Sequence, residues 1–252
     1  MAAELRVFAD PDELGVVLAG EVAVLVAGID ERPFLLGCPG GRSLRSTYRA
    51  LAAHRDALRG VTVVMMDEYV EDGRAAPPDA HYSCRRFALE EIAAPLGIPD
   101  EDVWLPDPDD PASYDERIAA AGGIQLFLLA SGASDGHVAF LPPGSPLEGR
   151  TSVVPLADST RRDNLATFPD FRSLDEVPRH GVSVGLATIR DARRVRLVLH
   201  GGGKRDAAAR LLALERFDPS WPASVVYECA DAQILVDRAA LTPSPRRPRR
   251  GT

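Results

Sequence analysis

Short, nearly continuous apolar runs recur along this chain, separated by longer stretches in which apolar residues return every three or four positions. The runs Pro33–Cys38, Val61–Asp67, Ile124–Ala130, Val182–Ala187, Val195–His200, Ser224–Cys229 and Ala232–Asp237 read as strands buried on both faces. Helical spacing fills most of the gaps. Asp10-Pro11-Asp12-Glu13 supplies a cap, a first-turn proline and helix-start acids for the apolar stretch Leu14–Ile29. Ser43 can cap a helix that runs through His54, Ala80 to Leu96 keeps helical spacing, Ala112 to Ala121 precedes the third strand, and a helix from Lys204 to Leu214 follows Gly201-Gly202-Gly203. Strands alternating with helices predict the α/β class: a single-domain, doubly wound, mostly parallel, Rossmann-like sheet with helices on both faces. Two segments read as loose. Asp100 to Pro111 is an acidic, proline-rich loop around one anchoring Trp104, and the tail 242–252, with four arginines and no apolar residue after Thr242, reads as disordered beyond a domain of residues 1–241.

Charge narrows the partners. A formal net charge of -8 gives no general attraction to nucleic acid or to an anionic membrane surface, so a phosphate ligand has to be held by a few local groups. Leu14–Ile29 is interrupted by Glu21 and is shorter than a membrane span. The three cysteines, Cys38, Cys84 and Cys229, are odd in number and far apart, which fits a reducing cytoplasm and neither a disulfide framework nor a zinc site. The start, Met-Ala-Ala-Glu-Leu, lacks the basic region of a secretory signal.

Four polar clusters follow strand-like runs, and a doubly wound sheet brings such loops to one edge. Ser131 to His137 (SGASDGH) combines small residues with Asp135 and His137, a carboxylate and an imidazole able to meet at one spot; an ordinary turn is the alternative reading. Gly40-Gly41-Arg42-Ser43 stands between a strand and a helix, where backbone N–H groups, the helix N-terminus and a guanidinium suit a phosphate, although two glycines also merely permit a tight turn. Met65-Met66-Asp67-Glu68-Tyr69 ends a hydrophobic strand in two acids, where a half-buried carboxylate can serve as a general base or simply cap a loop. Gly201-Gly202-Gly203-Lys204 opens a helix with a cation that the helix dipole disfavours, which suggests an anion to be held. Its spacing departs from the P-loop, and no metal-ligand spacing is present.

These residues, in this order, resemble the glucosamine-6-phosphate deaminase/isomerase and 6-phosphogluconolactonase superfamily. The likeness runs from Arg32-Pro33-Phe34-Leu35-Leu36-Gly37 through Gly40-Gly41, Thr47-Tyr48-Arg49-Ala50-Leu51, Met66-Asp67-Glu68-Tyr69-Val70 and His81-Tyr82-Ser83. It continues through Asp135-Gly136-His137-Val138-Ala139-Phe140, Pro143-Gly144-Ser145 and Arg150-Thr151 to Trp221. Asp67-Glu68-Tyr69 is similar to the deaminase branch; the lactonase branch has Asp-Glu-Arg there. The resemblance implies a cofactor-independent isomerase or deaminase of a phosphorylated amino sugar. Asp67 would move a proton between C2 and C1, His137 would handle the ring-oxygen proton with Asp135 orienting it, and Gly40, Gly41, Arg42, Ser43 and Lys204 would hold the 6-phosphate. A sugar-lactone hydrolase and a non-catalytic sugar-phosphate sensor are the alternatives.

The departures are specific. Leu141-Pro142-Pro143 stands where deaminases carry Asn-Glu-Pro, so the glutamate that supports the histidine is replaced by Pro142. The family's phosphate-binding arginine falls on Ala166, with Arg42, Arg161 or Arg162 as substitutes. The basic residues of the hexameric deaminases' allosteric site fall on Ser152 and Val154, which implies that this regulation is absent.

Overall fold

The computed structural model describes residues 3–29 and 33–242. The chain opens on strand β1 (Glu4–Phe8) and helix α1 (Pro11–Ala27). Asp10 starts that helix by accepting hydrogen bonds from the N–H groups of Asp12 and Glu13, each at 2.9 Å, which satisfies two donors the first turn would otherwise leave unpaired. Leu14, Leu18, Val22 and Val26 recur at intervals of four and are fully buried against the sheet, as the apolar periodicity requires. Strand β2 (Phe34–Cys38), helix α2 (Arg45–Leu51), a 3-10 stretch at Ala52–Leu58 and strand β3 (Val61–Met65) follow. Next come β4 (Asp67–Glu71) and β5 (Arg74–Ala75), and then a helical stretch built of α3 (Cys84–Phe87), a π-helical turn at Ala88–Ala93, and α4 (Ala94–Leu96). The centre of the chain holds β6 (Val103–Trp104), α5 (Pro111–Ala120), β7 (Leu126–Ala130), β8 (Ser152–Pro155) and α6 (Asp158–Thr167). The last elements are β9 (His180–Ser183), α7 (Leu186–Arg190), β10 (Val195–Leu199), α8 (Arg205–Leu212), β11 (Ala232–Asp237) and α9 (Arg238–Leu241).

Seven strands form one parallel sheet in the order β1-β11-β10-β7-β2-β3-β6. From β2 the chain winds outward through β3 to β6, then returns to β7 and winds the other way, so the strand order reverses between β2 and β7. The loops after those two strands therefore part from each other and leave a crevice at the carboxyl edge, where doubly wound sheets bind ligands. Alternation along the strands feeds two cores: Phe34, Leu36 and Cys38 pack with α1 and α2 on one face, while Leu35 and Val64 pack with α5, α7 and α8 on the other.

A second sheet, absent from the sequence-based expectation, is antiparallel with the order β5-β4-β9-β8. It explains two corrections. The run Val61–Asp67 is not one strand: Met66 N–H donates to Cys38 O at 3.3 Å, its carbonyl accepts from Val184 N–H at 2.8 Å, and Asp67 already belongs to the second sheet, opposite Ser183. The run Val182–Ala187 does not join the parallel sheet, since His180–Ser183 pairs antiparallel with β4 and β8 and Leu186 begins a helix. Nor is Ser224–Cys229 a strand; Pro222–Glu228 is a buried 3-10 helix opened by its proline. Continuous apolar runs report burial and not the conformation that achieves it. The acidic segment expected as a loop keeps Trp104 as anchor, but pairs Val103–Trp104 with β3 as the sheet's edge, and Arg117 lies over the indole at 3.7 Å. Among the described residues, the three cysteines are buried and free, and no helix is long and apolar enough to cross a membrane. Residues 243–252 of the basic tail lie outside the described residues.

Candidate active site

A cavity of about 430 Å³ opens at the crevice between the ends of β2 and β7, within the range of small-ligand sites. Its wall holds residues from every cluster singled out in the sequence: Gly40, Gly41, Arg42 and Ser43 after β2, Asp67 at the start of β4, His137 after β7, and Lys204 after β10.

Asp67 and Glu68 are adjacent and buried, yet their environments differ. Glu68 collects four donors: the N–H groups of Tyr69, Cys84 and Arg85 at 2.8, 2.9 and 2.9 Å, and the Ser83 hydroxyl at 3.0 Å. Its carboxyl therefore anchors the first turn of α3 to β4, and although burial raises its pKa these donors act against the rise. Asp67 receives one weak donor, the Cys84 thiol at 3.5 Å from Oδ1. Burial pushes the Asp67 pKa up to about 7; the Cys84 thiol opposes the rise and the neighbouring Glu68 adds to it. Glu68 is thus held in place by its hydrogen bonds, while Asp67 is left able to exchange a proton near neutral pH.

His137 is oriented from behind. Its Nδ1 is 2.8 Å from Asp135 Oδ1, which also accepts the His137 backbone N–H at 3.1 Å, and the Ser159 hydroxyl donates to Oδ2 of the same carboxylate. Burial alone would raise the Asp135 pKa, but the hydrogen bond and charge of His137 together with the Ser159 bond hold it well below the usual carboxylate range. An ionised Asp135 requires a proton on Nδ1 and leaves Nε2 as the ring nitrogen outside that hydrogen bond. The local sequence follows from this packing. A Cβ at Gly132 would lie 2.2 Å from His137 Nδ1, and Gly136, at φ +68, lies against the Trp221 ring where no Cβ fits. Pro142, in the place of the family glutamate, contributes no acid. Ser159 and Thr160, whose Oγ1 is 3.3 Å from Nδ1, supply the second layer around the imidazole from α6.

The other end of the cavity is cationic. Lys204 Nζ donates to Ser131 O at 2.5 Å, and burial lowers its pKa, with Asp163 and Asp135 pulling it back and Arg42 adding to the fall. The N–H groups of Gly40, Gly41, Arg42 and Ser43 make no hydrogen bond within the described residues, so they are available to an anion. Of the three arginines considered as substitutes for the residue at Ala166, Arg42 alone lines the cavity. Arg161 is buried elsewhere, its guanidinium bonded to Val177 O, Leu174 O and Asp158, and Arg162 is exposed.

Several lining residues carried no sequence signal that was read as functional: Cys84, Asp163, Asn164, Thr167 and His200. A usable signal existed in α6, a helix with few apolar positions, which presents Thr160, Asp163, Asn164 and Thr167 to the cavity at helical spacing. Asn164 Nδ2 is buried without a partner, an open donor in the wall.

A doubly wound α/β sheet with its polar groups gathered at the switch point is the architecture of an enzyme acting on a small ligand. The model of the family described as glucosamine-6-phosphate isomerases/6-phosphogluconolactonase matches residues 9–236, and the chain belongs to that family. It is 31% identical over 229 residues to a glucosamine-6-phosphate deaminase of Shouchella clausii, covering 86% of this chain and 89% of the relative. It is 36% identical over 233 residues to one from Corynebacterium urealyticum, covering 87% of each. A solved structure of a monomeric glucosamine-6-phosphate deaminase superposes with a TM-score of 0.83 at 26% identity, over 94% of this chain and 98% of that one. The 6-phosphogluconolactonase of Trypanosoma cruzi shares the fold, with a TM-score of 0.72 at 20% identity over 95% and 97% of the two chains.

Proposed function

We propose that this chain is a glucosamine-6-phosphate deaminase, converting the amino-sugar phosphate to a ketose phosphate with release of ammonia. One observation carries the reading: a buried carboxylate poised near neutrality and an imidazole backed by the Asp135 carboxylate face the same cavity, which is also lined by Arg42, Lys204 and the Gly40–Ser43 loop with its unpaired backbone N–H groups. Family membership and the names of the curated relatives support it.

In this account the phosphate lies between Lys204 and the Gly40–Ser43 loop and positions the sugar by its remote end. His137 Nε2 takes the proton of the anomeric hydroxyl and gives it to the ring oxygen as the bond from C1 to that oxygen breaks, opening the ring to the aldehyde, and Asp135 stabilises the imidazolium that forms in between. The Asp67 carboxylate removes the proton at C2 and delivers it to C1, while the C1 oxygen gains the proton that the amino group loses, giving a hydroxyl at C1 and an imine at C2. Water adds to that carbon and ammonia leaves, so the ketose phosphate gains the oxygen that the water brings. A base with a pKa of about 7 is ionised over a useful range of pH and still holds the proton long enough to return it.

Purified protein incubated with glucosamine 6-phosphate is expected to release ammonia and ketose phosphate in equal amounts. Hydrolysis of 6-phosphogluconolactone without ammonia release, or neither reaction between roughly pH 6 and 9, overturns the reading. Replacing Lys204 by Met removes the ammonium and keeps the apolar stem. In steady-state assays the variant is expected to lose about ten- to a hundredfold in kcat/KM, mostly through KM, as for a charge-assisted hydrogen bond. An unchanged KM for the phosphorylated sugar would remove Lys204 from the phosphate site.

A further inference from the structure

The segment that follows β10 ties three neighbouring strand ends together. Lys204 Nζ donates to Ser131 O beyond β7, and Gly201 N–H donates to both carboxylate oxygens of Asp237 at the end of β11, 3.0 Å each. His200 Nε2 lies 2.9 Å from Ser43 O beyond β2. Because β7 stands between β10 and β2, this imidazole reaches across an intervening strand to its contact. A carbonyl oxygen only accepts, so Nε2 carries the proton and donates it. His200 also lines the cavity beside Arg42, Gly203 and Lys204, and no proton step described above uses it.

The Gly40–Ser43 loop needs such a contact. It holds two glycines, one of them Gly41 at φ +87, and its own N–H groups are unpaired, so little within the loop fixes its shape. Its start is held by the Tyr48 hydroxyl, which donates to Pro39 O at 2.7 Å. Its end is held by His200. A loop pinned at both ends meets an anion already shaped, without losing conformational freedom at the moment of binding.

We infer that His200 is a positioning residue for the anion loop: its hydrogen bond to the Ser43 carbonyl fixes Gly40–Ser43 in the cavity wall that the loop shares with Lys204. The inference rests on the anion end of the proposed site and not on its proton chemistry.

Calorimetric binding of inorganic phosphate to the full chain tests it, because that measurement needs no turnover. His200→Leu, which keeps bulk and removes the donor, is expected to weaken phosphate binding about tenfold, the scale of one lost hydrogen bond. With the sugar phosphate as substrate, the loss is expected mainly in KM. His200→Gln, whose amide N–H sits the same number of bonds from Cβ as Nε2–H, is expected to restore binding to within about threefold. His200→Asn, one bond shorter, is expected to resemble the Leu variant, and serves in its place if Leu at this site fails to fold. Phosphate affinity that stays at the parental value in the Leu or Asn variant overturns the inference. So does a loss confined to kcat that Gln does not rescue, which would put the imidazole at the reacting atoms. A protein that releases no ammonia yet loses phosphate affinity in the Leu variant leaves this inference standing and removes the deaminase reading. Ammonia release with phosphate affinity untouched by Leu does the reverse.

Discussion

Asp67→Asn is expected to lower kcat for ammonia release by about a hundredfold to ten-thousandfold while the protein becomes more stable at alkaline pH. The first effect follows from deleting a general base while preserving its shape. The second is a linkage effect. Burial raises the folded-state pKa of Asp67 to about 7, above the value of an exposed aspartate, so the folded protein binds this proton more tightly than the unfolded chain does. The favourable contribution of the buried neutral acid is complete below the unfolded pKa near 4 and is lost as pH rises through about 7, where folding must bury a charge. The Asn variant carries no such charge. Its melting temperature is therefore expected to exceed the parent's at pH 8, with the gap closing toward pH 4. The same titration gives the parent an acid limb in kcat/KM near pH 7, rising with pH. Melting curves that run parallel at every pH would show that Asp67 does not titrate in this range, and undiminished turnover in the variant would remove it from the chemistry.

His137→Asn is the second change expected to have a large effect. Its amide nitrogen, like Nδ1, is two bonds from Cβ and can keep the hydrogen bond to Asp135 Oδ1 that Nδ1 makes at 2.8 Å, but it cannot accept and return a proton. If the imidazole opens the sugar ring, kcat on the closed pyranose is expected to fall by about a hundredfold to ten-thousandfold. Exchange of the C2 proton with deuterated water, started from a small open-chain hydroxyaldehyde phosphate, is expected to survive much better, because that substrate has no ring to open and still meets Asp67. NMR of the exchanging hydrogen separates the two steps. Equal losses on both substrates would assign His137 to the proton transfer at carbon, not to ring opening.

The chain's own pattern revealed its sheet better than its second sheet. Phe34–Cys38, Val195–Leu199 and Ala232–Asp237 announced themselves because strands covered on both faces are apolar at most positions. The same rule misread Val61–Asp67, since Met66 is fully buried whether the chain continues straight or changes sheets, and only the partners of its N–H and carbonyl distinguish the two. Polar residues at strand ends located Asp67, Asp135, His137 and Lys204, because an acid or cation beside a buried run needs a reason to be there. Cys84 and His200 escaped that logic. A cysteine reads as a small hydrophobe and His200 reads as the last residue of the strand Val195–His200, and their contacts, with Asp67 and with the Ser43 carbonyl, join segments distant in sequence. The distinction between Asp67 and Glu68 was likewise invisible, because it depends on where the N–H groups of α3 point.

The pairing of Asp67 with Ser183 has a consequence for how this cavity can change. Side chains of a strand alternate between its two sides, so sliding β4 by one position along β9 would turn Asp67 away and present a neighbour in its stead. Which carboxylate β4 presents to the cavity is thus set by alignment within a small ribbon that lies outside the main sheet. Loops around the cavity can be lengthened or recomposed while the ribbon stays in step, whereas a single residue inserted between Met66 and Asp67 would shift Asp67 out of its place opposite Ser183.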